Sequence, residues 1–413
     1  MLKMSQNPFK TIKNQPNTAD NISTGYLLQA WYIRQELAWA FMYLPLGLKV
    51  LNNIKKIITK HLETLWAQEI LMSSFWSKEK REMTWRADMD ILFKIPFSDT
   101  NKDKYNFLNP THEEIVTPLL SEFIRSYKDL PAKVFQTQTK FRNEKRAKSG
   151  ILRGREFLMN DMYSFHADQK SLDETYDEVI NTYNNIFKEL GIGNDTYLTY
   201  ASWGTFSKYS HEFQTLTPLG EDIVYVDTDK KIALNKEIID EPSVKEEFKD
   251  FNFVETKWSE VWNIFKLWTK FTDSFDFDYV DSDWSRRRVY MWCYGIGVSR
   301  TMGIIAEKFL DKKGLVRPKN IAPFDYYLIK IWDEKSDIES KRIIEKLENA
   351  WKSVIYDDRN VWFWQKANDA DLLWIPHRII VSEKTMQQWG FEYKSRVDDV
   401  VQIMGDEQLL CIE

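Results

Sequence analysis

The chain has 413 residues, 43% of them hydrophobic and 29% charged, with a formal net charge of −5. That length is too great for one ordinary core, so two or three domains are expected. No apolar run reaches the roughly 18 residues of a membrane span, the polar N-terminus lacks a signal-peptide core, and neither the two cysteines nor the five histidines show a disulfide or metal-ligand spacing, which points to a reducing cytoplasm.

The net charge argues against a protein that coats nucleic acid indiscriminately, and no DNA partner is expected. Local basic patches remain, between Lys140 and Lys148 and at Arg286, Arg287 and Arg288, and the bland reading of the arginine triplet is a solvated face. One count is abnormal: tryptophan occurs 17 times and glycine only 14. The two together take about the share of a chain, ~7%, that glycine alone usually has.

Residues 1–20 read as a flexible lead-in. Residues 26–66 read as mainly helical, with Pro45 opening a helix that puts Leu48, Leu51, Ile54, Ile58 and Leu62 on one face. From 131 to 168, period-two alternation on either side of a basic, glycine-containing loop predicts two antiparallel strands. Residues 171–191 read as a helix with Ser171 as cap, Glu174 completing a capping box and Gly191 ending it. Strand-like runs follow at 221–227 and within 261–280, and residues 288–310 read as a strand turning into a helix. After 319–323, strands alternate with helices, which predicts a small α/β domain.

Three segments carry candidate chemistry. Residues 109–114 (NPTHEE) place Thr111 and Glu113 on one face if extended. Residues 139–144 (TKFRNE) put Arg142 and Glu144 on one face of the first strand of the pair. Residues 295–300 (GIGVSR) end with Arg300 at the mouth of a helix. Each segment alone is weak, since an FRxE is more often a surface ion pair.

In this order the segments resemble the motif set of bacterial-type prolyl-tRNA synthetases: Pro110–Glu114, Thr139–Glu144, Gly150–Phe157, Tyr163–His166, Ser210–Phe213 and Gly295–Arg300. Residues 44–51 (LPLGLKVL) resemble class II motif 1, and 321–331 the start of that family's anticodon-binding domain. The resemblance spans roughly residues 22–400. It implies an α/β molecule with an α+β catalytic domain: a class II antiparallel sheet with flanking helices over 21–320, then an anticodon-binding domain over 321–413. Motif 1 would cover about 44–60, motif 2 about 134–166 and motif 3 about 288–310.

The implied reaction joins L-proline to the 3′ end of tRNA(Pro) through prolyl-adenylate, with ATP as substrate and Mg²⁺ on its phosphates. Carboxylate attack on the α-phosphate develops charge on phosphate oxygens, which suits a planar arginine fork. By resemblance Arg142 holds α-phosphate and substrate carboxylate, Glu144 the adenine, and Arg300 the γ-phosphate. Arg153 contacts ATP or the tRNA end, and Glu156 lies beside it on the return strand. Thr111 and Glu113 would accept the N–H groups of the prolinium ring, with Phe165, His166 and His211 lining or neighbouring that pocket; core packing is the alternative for these three. Arg359 and Lys366 match the anticodon-domain signature as tRNA contacts, with simple surface charge as the alternative. A homodimer through motif 1 is implied.

Two departures stand out. Where many bacterial members carry an editing insertion, only a short linker (228–250) is present, too short for a domain. Trp31, Trp39, Trp66, Trp85, Trp262, Trp268, Trp292 and Trp374 stand at glycines of the family pattern, and Trp203, Trp258, Trp284, Trp351 and Trp364 fall where glycine is usual. The expectation is that these are UGA codons read as glycine at source, with aromatic platforms for a ligand as the rival reading. A catalytically dead paralogue is disfavoured because Thr111, Glu113, Arg142 and Arg300 are all present, and a threonyl enzyme because its zinc set is absent.

Overall fold

The computed structural model describes the whole chain except residues 18, 97–104, 146–148, 202–209, 218–219, 221, 317, 332, 411 and 413. Trp203 and part of the motif 2 loop therefore lie outside the described residues, as does the side chain of Trp262. Two compact units divide the chain. One contains Gln35–Phe41 and Ile54–Ile304, the other Met1–Arg34, Met42–Asn53 and Ile305–Glu413. The division falls at 304–305 rather than near 320, and the N-terminal residues group with the C-terminal unit.

The expected continuous helix over 26–66 is broken. A helix at Ile22–Gln29 stops before Trp31, whose φ is 49°, and a hairpin pairs Ile33–Leu37 with Ala40–Tyr43 across Trp39, whose φ is 63°. Only then does helix α1 (Pro45–Glu63) begin. Its buried face carries Leu51, Ile54, Ile58 and Leu62, but Leu48, expected with them, is half exposed.

The larger unit is built on one nine-stranded sheet. In chain order its strands are β1 (Gln68–Glu69), β2 (Ala132–Phe141), β3 (Glu156–His166), β4 (Thr196–Ala201), β5 (Ser210–Leu216), β6 (Asp222–Asp227), β7 (Ile232–Asn235), β8 (Val254–Trp268) and β9 (Tyr290–Gly297). The order across the sheet is β5-β4-β7-β6-β8-β9-β3-β2-β1, with β5 also pairing β8. The pairs β4–β7 and β1–β2 are parallel and the others antiparallel. The predicted hairpin-like pair is β2 and β3, in register from Ala132↔Phe165 to Phe141↔Glu156.

Helices α2 (Glu113–Ser121), α3 (Gln169–Glu189), α4 (Pro242–Glu247) and α5 (Lys270–Ser274) belong to it with a short helix at Lys78–Met83, and α6 (Val298–Lys308) begins in it. The cap of α3 is Asp168 rather than Ser171: its carboxylate accepts the Ser171 N–H at 2.8 Å. The Ser171 hydroxyl is instead bonded to His166 Nδ1. Gly191, at φ 78°, follows the helix end as expected. A buried cluster including Met72, Val116, Phe165, Leu267, Phe271, Met291 and Cys293 forms the core beneath β3, β8 and β9. The linker 228–250 folds as β7 and α4 over its own small core of Leu234, Ile238, Val244 and Phe248.

The smaller unit carries a six-stranded sheet. Its order is Leu2–Lys3, β11 (Val354–Asp357), β10 (Tyr326–Lys330), β12 (His377–Val381), β13 (Phe391–Ser395) and β14 (Val401–Met404). The first four are parallel, and helices α7 (Glu334–Asn349) and α8 (Phe363–Leu372) provide crossovers. The expected lead-in is thus corrected at its start: Leu2 and Lys3 pair with Ile355 and Tyr356, and Ser5 bonds Asp358 through backbone and hydroxyl. This short strand covers the middle of the otherwise open edge of β11. No helix among the described residues is long and apolar enough to cross a membrane.

Candidate active site

The site begins where β2 ends. Arg142 is the residue after the strand, not part of it, and its backbone N–H donates to Arg155 O at 2.9 Å across the mouth of the β2–β3 pair. Glu144 likewise lies beyond the strand, so alternation does not set its direction. A tight turn does, with Glu144 N–H bonded to Arg142 O at 2.7 Å. The Arg142 guanidinium stacks over Phe157, 5.2 Å from its ring centre, and Nε donates to Pro110 O at 3.2 Å.

Arg142 lines two neighbouring cavities of the larger unit. The first is walled by Glu144, Arg153, Phe157, Met159, Glu260, Asn263, Gly295 and Arg300. The second holds Thr111, Glu113, Arg86, Phe265, Lys270, Phe271 and Cys293. Burial, together with the charge of Arg300, lowers the pKa of Arg142, and Glu260 and Glu144 oppose that.

In the first cavity Arg153 pairs with Glu144 at 3.2 Å. Arg300, in the first turn of α6, donates from Nε to Leu152 O at 2.9 Å and from Nη1 to Glu260 O at 2.8 Å, with the Glu260 carboxylate at 3.3 Å. The strand β9 comes close here: a Cβ on Gly295 would sit 2.3 Å from Met159 Cε, so a side chain at 295 would displace the Met159 that lines the cavity.

In the second cavity Thr111 and Glu113 are not on one extended face as expected. His112 is the N-cap and Glu113 opens α2, and the turn brings the Thr111 hydroxyl within 2.7 and 2.6 Å of the two Glu113 oxygens. Arg86 Nη1 lies 3.2 Å from both Glu113 and Glu114. Burial raises both carboxyl groups, but at Glu113 the Arg86 charge and the Thr111 hydroxyl outweigh it and hold the pKa below the usual range. At Glu114, burial and the Glu113 charge prevail and raise it. Two adjacent carboxylates are thereby driven apart, one ionised and facing the cavity. Burial and Glu113 also push the Cys293 thiol up, so it acts as an apolar wall.

Of the expected site residues, Thr111, Glu113 and Arg142 meet in one cavity, and Arg142, Glu144, Arg153 and Arg300 in the other. Glu156, on β3, is exposed. Phe165 lines neither: it is fully buried in the apolar cluster that backs Leu267, Phe271 and Cys293. His166 is turned to Ser171, and burial pushes its pKa down to about 3. His211 packs edge-on against Tyr200 and over Tyr176, its pKa lowered to about 4 by burial and by Lys266.

In the other unit Arg359 is spent on Asp357 and Asp369, each at 2.7 Å, and Lys366 is 3% exposed with its ammonium on the Lys330 and Asp357 carbonyls. Neither is a surface charge, and both hold β10, β11 and α8 together. Their internal pairing occupies the groups that were expected to meet tRNA.

Residues missed from sequence include Arg86, Phe157, Met159, Glu260, Asn263 and Phe265. Glu260 and Asn263 gave no signal of their own, being two of several polar residues in a mixed strand. A bulge explains why both face the cavity: Phe213 pairs with Trp262 and Gln214 with Glu260, leaving Val261 unpaired.

Comparison with known proteins decides the family. Residues 93–309 match the tRNA synthetase class II core domain (G, H, P, S and T). The proline–tRNA ligase of Ehrlichia chaffeensis is 32% identical over 429 residues, covering 99% of each chain. That of Wolbachia pipientis wMel is 33% identical over 434 residues, again covering 99% of each.

The chain belongs to the proline–tRNA ligases.

A longer ligase of this family, from Staphylococcus haemolyticus, is 29% identical over 539 residues, covering 94% of each chain. The fold is also that of a prolyl-tRNA synthetase from Cryptosporidium parvum, solved with L-proline and AMP, with a TM-score of 0.77 at 18% identity over 96% of this chain and 75% of that one. In this ligase, then, the class II core holds strands β2 to β9 of the larger unit's sheet, the lining of the first cavity and most of the lining of the second.

Proposed function

We propose that this ligase activates L-proline with ATP in the two adjoining cavities, transfers it to tRNA(Pro), and does not edit in cis. The observation that carries the reading is Arg142, the one expected catalytic arginine that lines both cavities. Proline sits in the second, its ring N–H groups on Glu113 and Thr111. ATP sits in the first, its adenine by Glu144 and its phosphates toward Arg300. The proline carboxylate then attacks the α-phosphorus in line, an oxygen–phosphorus bond forms, and pyrophosphate leaves. Arg142 neutralises charge on the phosphate oxygens as it develops, and positioning supplies the rest of the acceleration. Mg²⁺ accompanies the phosphates. The Glu260 and Glu212 carboxylates, both bonded to Asn263 Nδ2, offer the oxygen donors that a hard cation retaining water and phosphate ligands requires.

Proline-dependent ATP–pyrophosphate exchange tests this. Arg142→Ala, and Arg142→Lys because the fork is lost, should each reduce kcat/KM by ~10²-fold or more. Exchange that depends on another amino acid, or an unchanged Arg142→Ala enzyme, would refute it.

Two observations support the absence of cis-editing. Residues 228–250 are used up by β7 and α4 and their small core. The alignment with the Staphylococcus relative extends over 539 residues against a chain of 413, so a domain-sized stretch of that relative has no counterpart here, whereas the Ehrlichia relative aligns over 429. A pocket that binds proline discriminates poorly against smaller amino acids without a second sieve. The purified enzyme should therefore leave alanyl-tRNA(Pro) intact; deacylation above the buffer rate would overturn this. A homodimer through the region of α1 remains the reading from family resemblance, with sedimentation velocity as its check.

We also propose that glycine is the natural residue at the tryptophan positions. Eight of the eleven described non-glycine residues with positive φ are tryptophans: Trp31, Trp39, Trp66, Trp85, Trp268, Trp284, Trp351 and Trp389, all between 49° and 66°. Trp389 was not among those expected. Trp31, Trp85, Trp351 and Trp389 each follow a helix C-cap, where glycine is the usual residue and where Gly191 stands after α3. Left-handed backbone costs about 1 kcal/mol or more per side chain, so eight such sites rival a domain's whole stability. The aromatic-platform reading does not cover the set, since Trp31, Trp258 and Trp292 are buried with their Nε1 unpartnered while Trp66, Trp85, Trp284, Trp351 and Trp389 are exposed. Mass spectrometry of the protein from its source should find glycine there, and TGG codons in the gene would end the idea.

A further inference from the structure

Behind the second cavity lies a fully buried polar cluster that lines neither cavity. Lys140 and His112 are 0% exposed and Asp161 4%. Lys140 Nζ sits 2.6 Å from Asp161 Oδ1 and 2.7 Å from His112 Nδ1. Asp161 Oδ2 accepts from the Tyr163 hydroxyl at 2.7 Å and from Gln136 Nε2 at 3.0 Å. An ion pair buried this deeply is seldom kept for stability alone, because apolar residues of similar volume do as well or better.

What the cluster holds is the residue between Thr111 and Glu113. His112 Nε2 faces Ser73 O at 3.0 Å, and a carbonyl only accepts, so Nε2 carries the hydrogen. In the neutral ring Nδ1 is then a bare acceptor, which the Lys140 ammonium fills. The His112 backbone N–H donates to the Tyr163 hydroxyl at 3.2 Å, the same hydroxyl that donates to Asp161. Every polar hydrogen or lone pair of this residue that points away from α2 is thus tied to β2, β3 or the Ser73 loop. His112 has no side-chain capping bond of its own to fix the start of α2.

We propose that Lys140 is a positioning residue for the amino-acid cavity: through Asp161 and His112 it clamps the Thr111–Glu113 turn so that both side chains meet the ring nitrogen of the substrate. The proposal rests on the assignment of the second cavity to proline. Lys140 touches no substrate; its effect passes through His112.

Proline-dependent pyrophosphate exchange by the full-length enzyme, with KM measured separately for proline and ATP alongside Tm, tests it. Lys140→Met combined with Asp161→Asn removes both charges together, which avoids stranding a buried carboxylate. This double variant, and separately His112→Leu, should raise the proline KM about tenfold or more while the ATP KM stays within about twofold. His112→Asn, whose Oδ1 can replace Nδ1 as the acceptor for Lys140, should recover most of the proline affinity that His112→Leu loses. A folded double variant with an unchanged proline KM, equal rises in both KM values, or identical behaviour of the Asn and Leu variants would overturn the proposal. Absence of proline-dependent exchange in the parent would instead overturn the cavity assignment on which it stands.

Discussion

Glu113 and Glu114 are chemically identical neighbours with opposite fates, because consecutive helix residues point about 100° apart. Glu113 faces the cavity, receives the Thr111 hydroxyl and stays ionised; Glu114 is 0% exposed, takes the Thr84 hydroxyl at 2.9 Å and is driven toward its neutral form. Glu113→Gln should therefore raise the proline KM about tenfold or more, because in the proposed site the lost charge is the partner of a cationic ring nitrogen. Glu114→Gln keeps an acceptor for Thr84 and should change KM by no more than about twofold. Steady-state exchange kinetics separate the two. At the same scale, Trp351→Gly and Trp389→Gly should each stabilise the chain by about 1 kcal/mol, read as a rise in Tm, since the exposed indoles (96% and 93%) give up little packing when removed. A fall in Tm would count against the glycine assignment.

Among elements, β8 does most to build the site. It pairs with β5, β6 and β9, and its bulge at Val261 turns Glu260 to the same side as Asn263 and Phe265. Period-two reading of the sequence assigns Glu260 and Asn263 to opposite faces, so no pattern argument could have joined them. Glu260 in turn holds Arg300 by backbone and side chain. Glu260→Ala should raise the ATP KM and leave the proline KM nearly unchanged, and equal effects on both would show that β8 had collapsed. Elsewhere the element boundaries missed from sequence have local causes. Tryptophan reads as a residue that helices and strands accept, so Trp31 and Trp39 by their chemistry hide the turns they occupy, and only the glycines of the family pattern at those positions marked them. The cap of α3 moved from Ser171 to Asp168 because His166 claims the serine hydroxyl.

Over the whole molecule, buried histidines set the acid limit. His112, His166, His211 and His377 are held near 4, 3, 4 and 4 by burial, aided by Lys140, Lys133, Lys266 and Lys319 in turn. The unfolded chain, with histidines near 6.5, binds more protons between about pH 4 and 6.5. Stability is then complete above about 6.5 and falls as pH drops toward 4, by on the order of 1 kcal/mol or more per histidine. Urea unfolding at pH 7.5 and 5 should show a lower midpoint at 5, and His166→Phe should narrow the gap.

The ordered motifs by themselves pointed to the family, the β2–β3 pair, the strand-to-helix turn before Arg300, and Thr111, Glu113, Arg142, Glu144, Arg153 and Arg300 as candidate site residues, because each motif is a short segment read in order along the chain. Tertiary structure alone decided that Phe165, His166 and His211 pack in the core, that Arg359 pairs with the Asp357 and Asp369 carboxylates and Lys366 with backbone carbonyls, and that Arg86 and Glu260 line the cavities while Lys140 stands behind them. Those outcomes depend on which charges and rings meet across strands distant in sequence, and burial, not residue type, sets whether a polar side chain reaches a substrate or a neighbour.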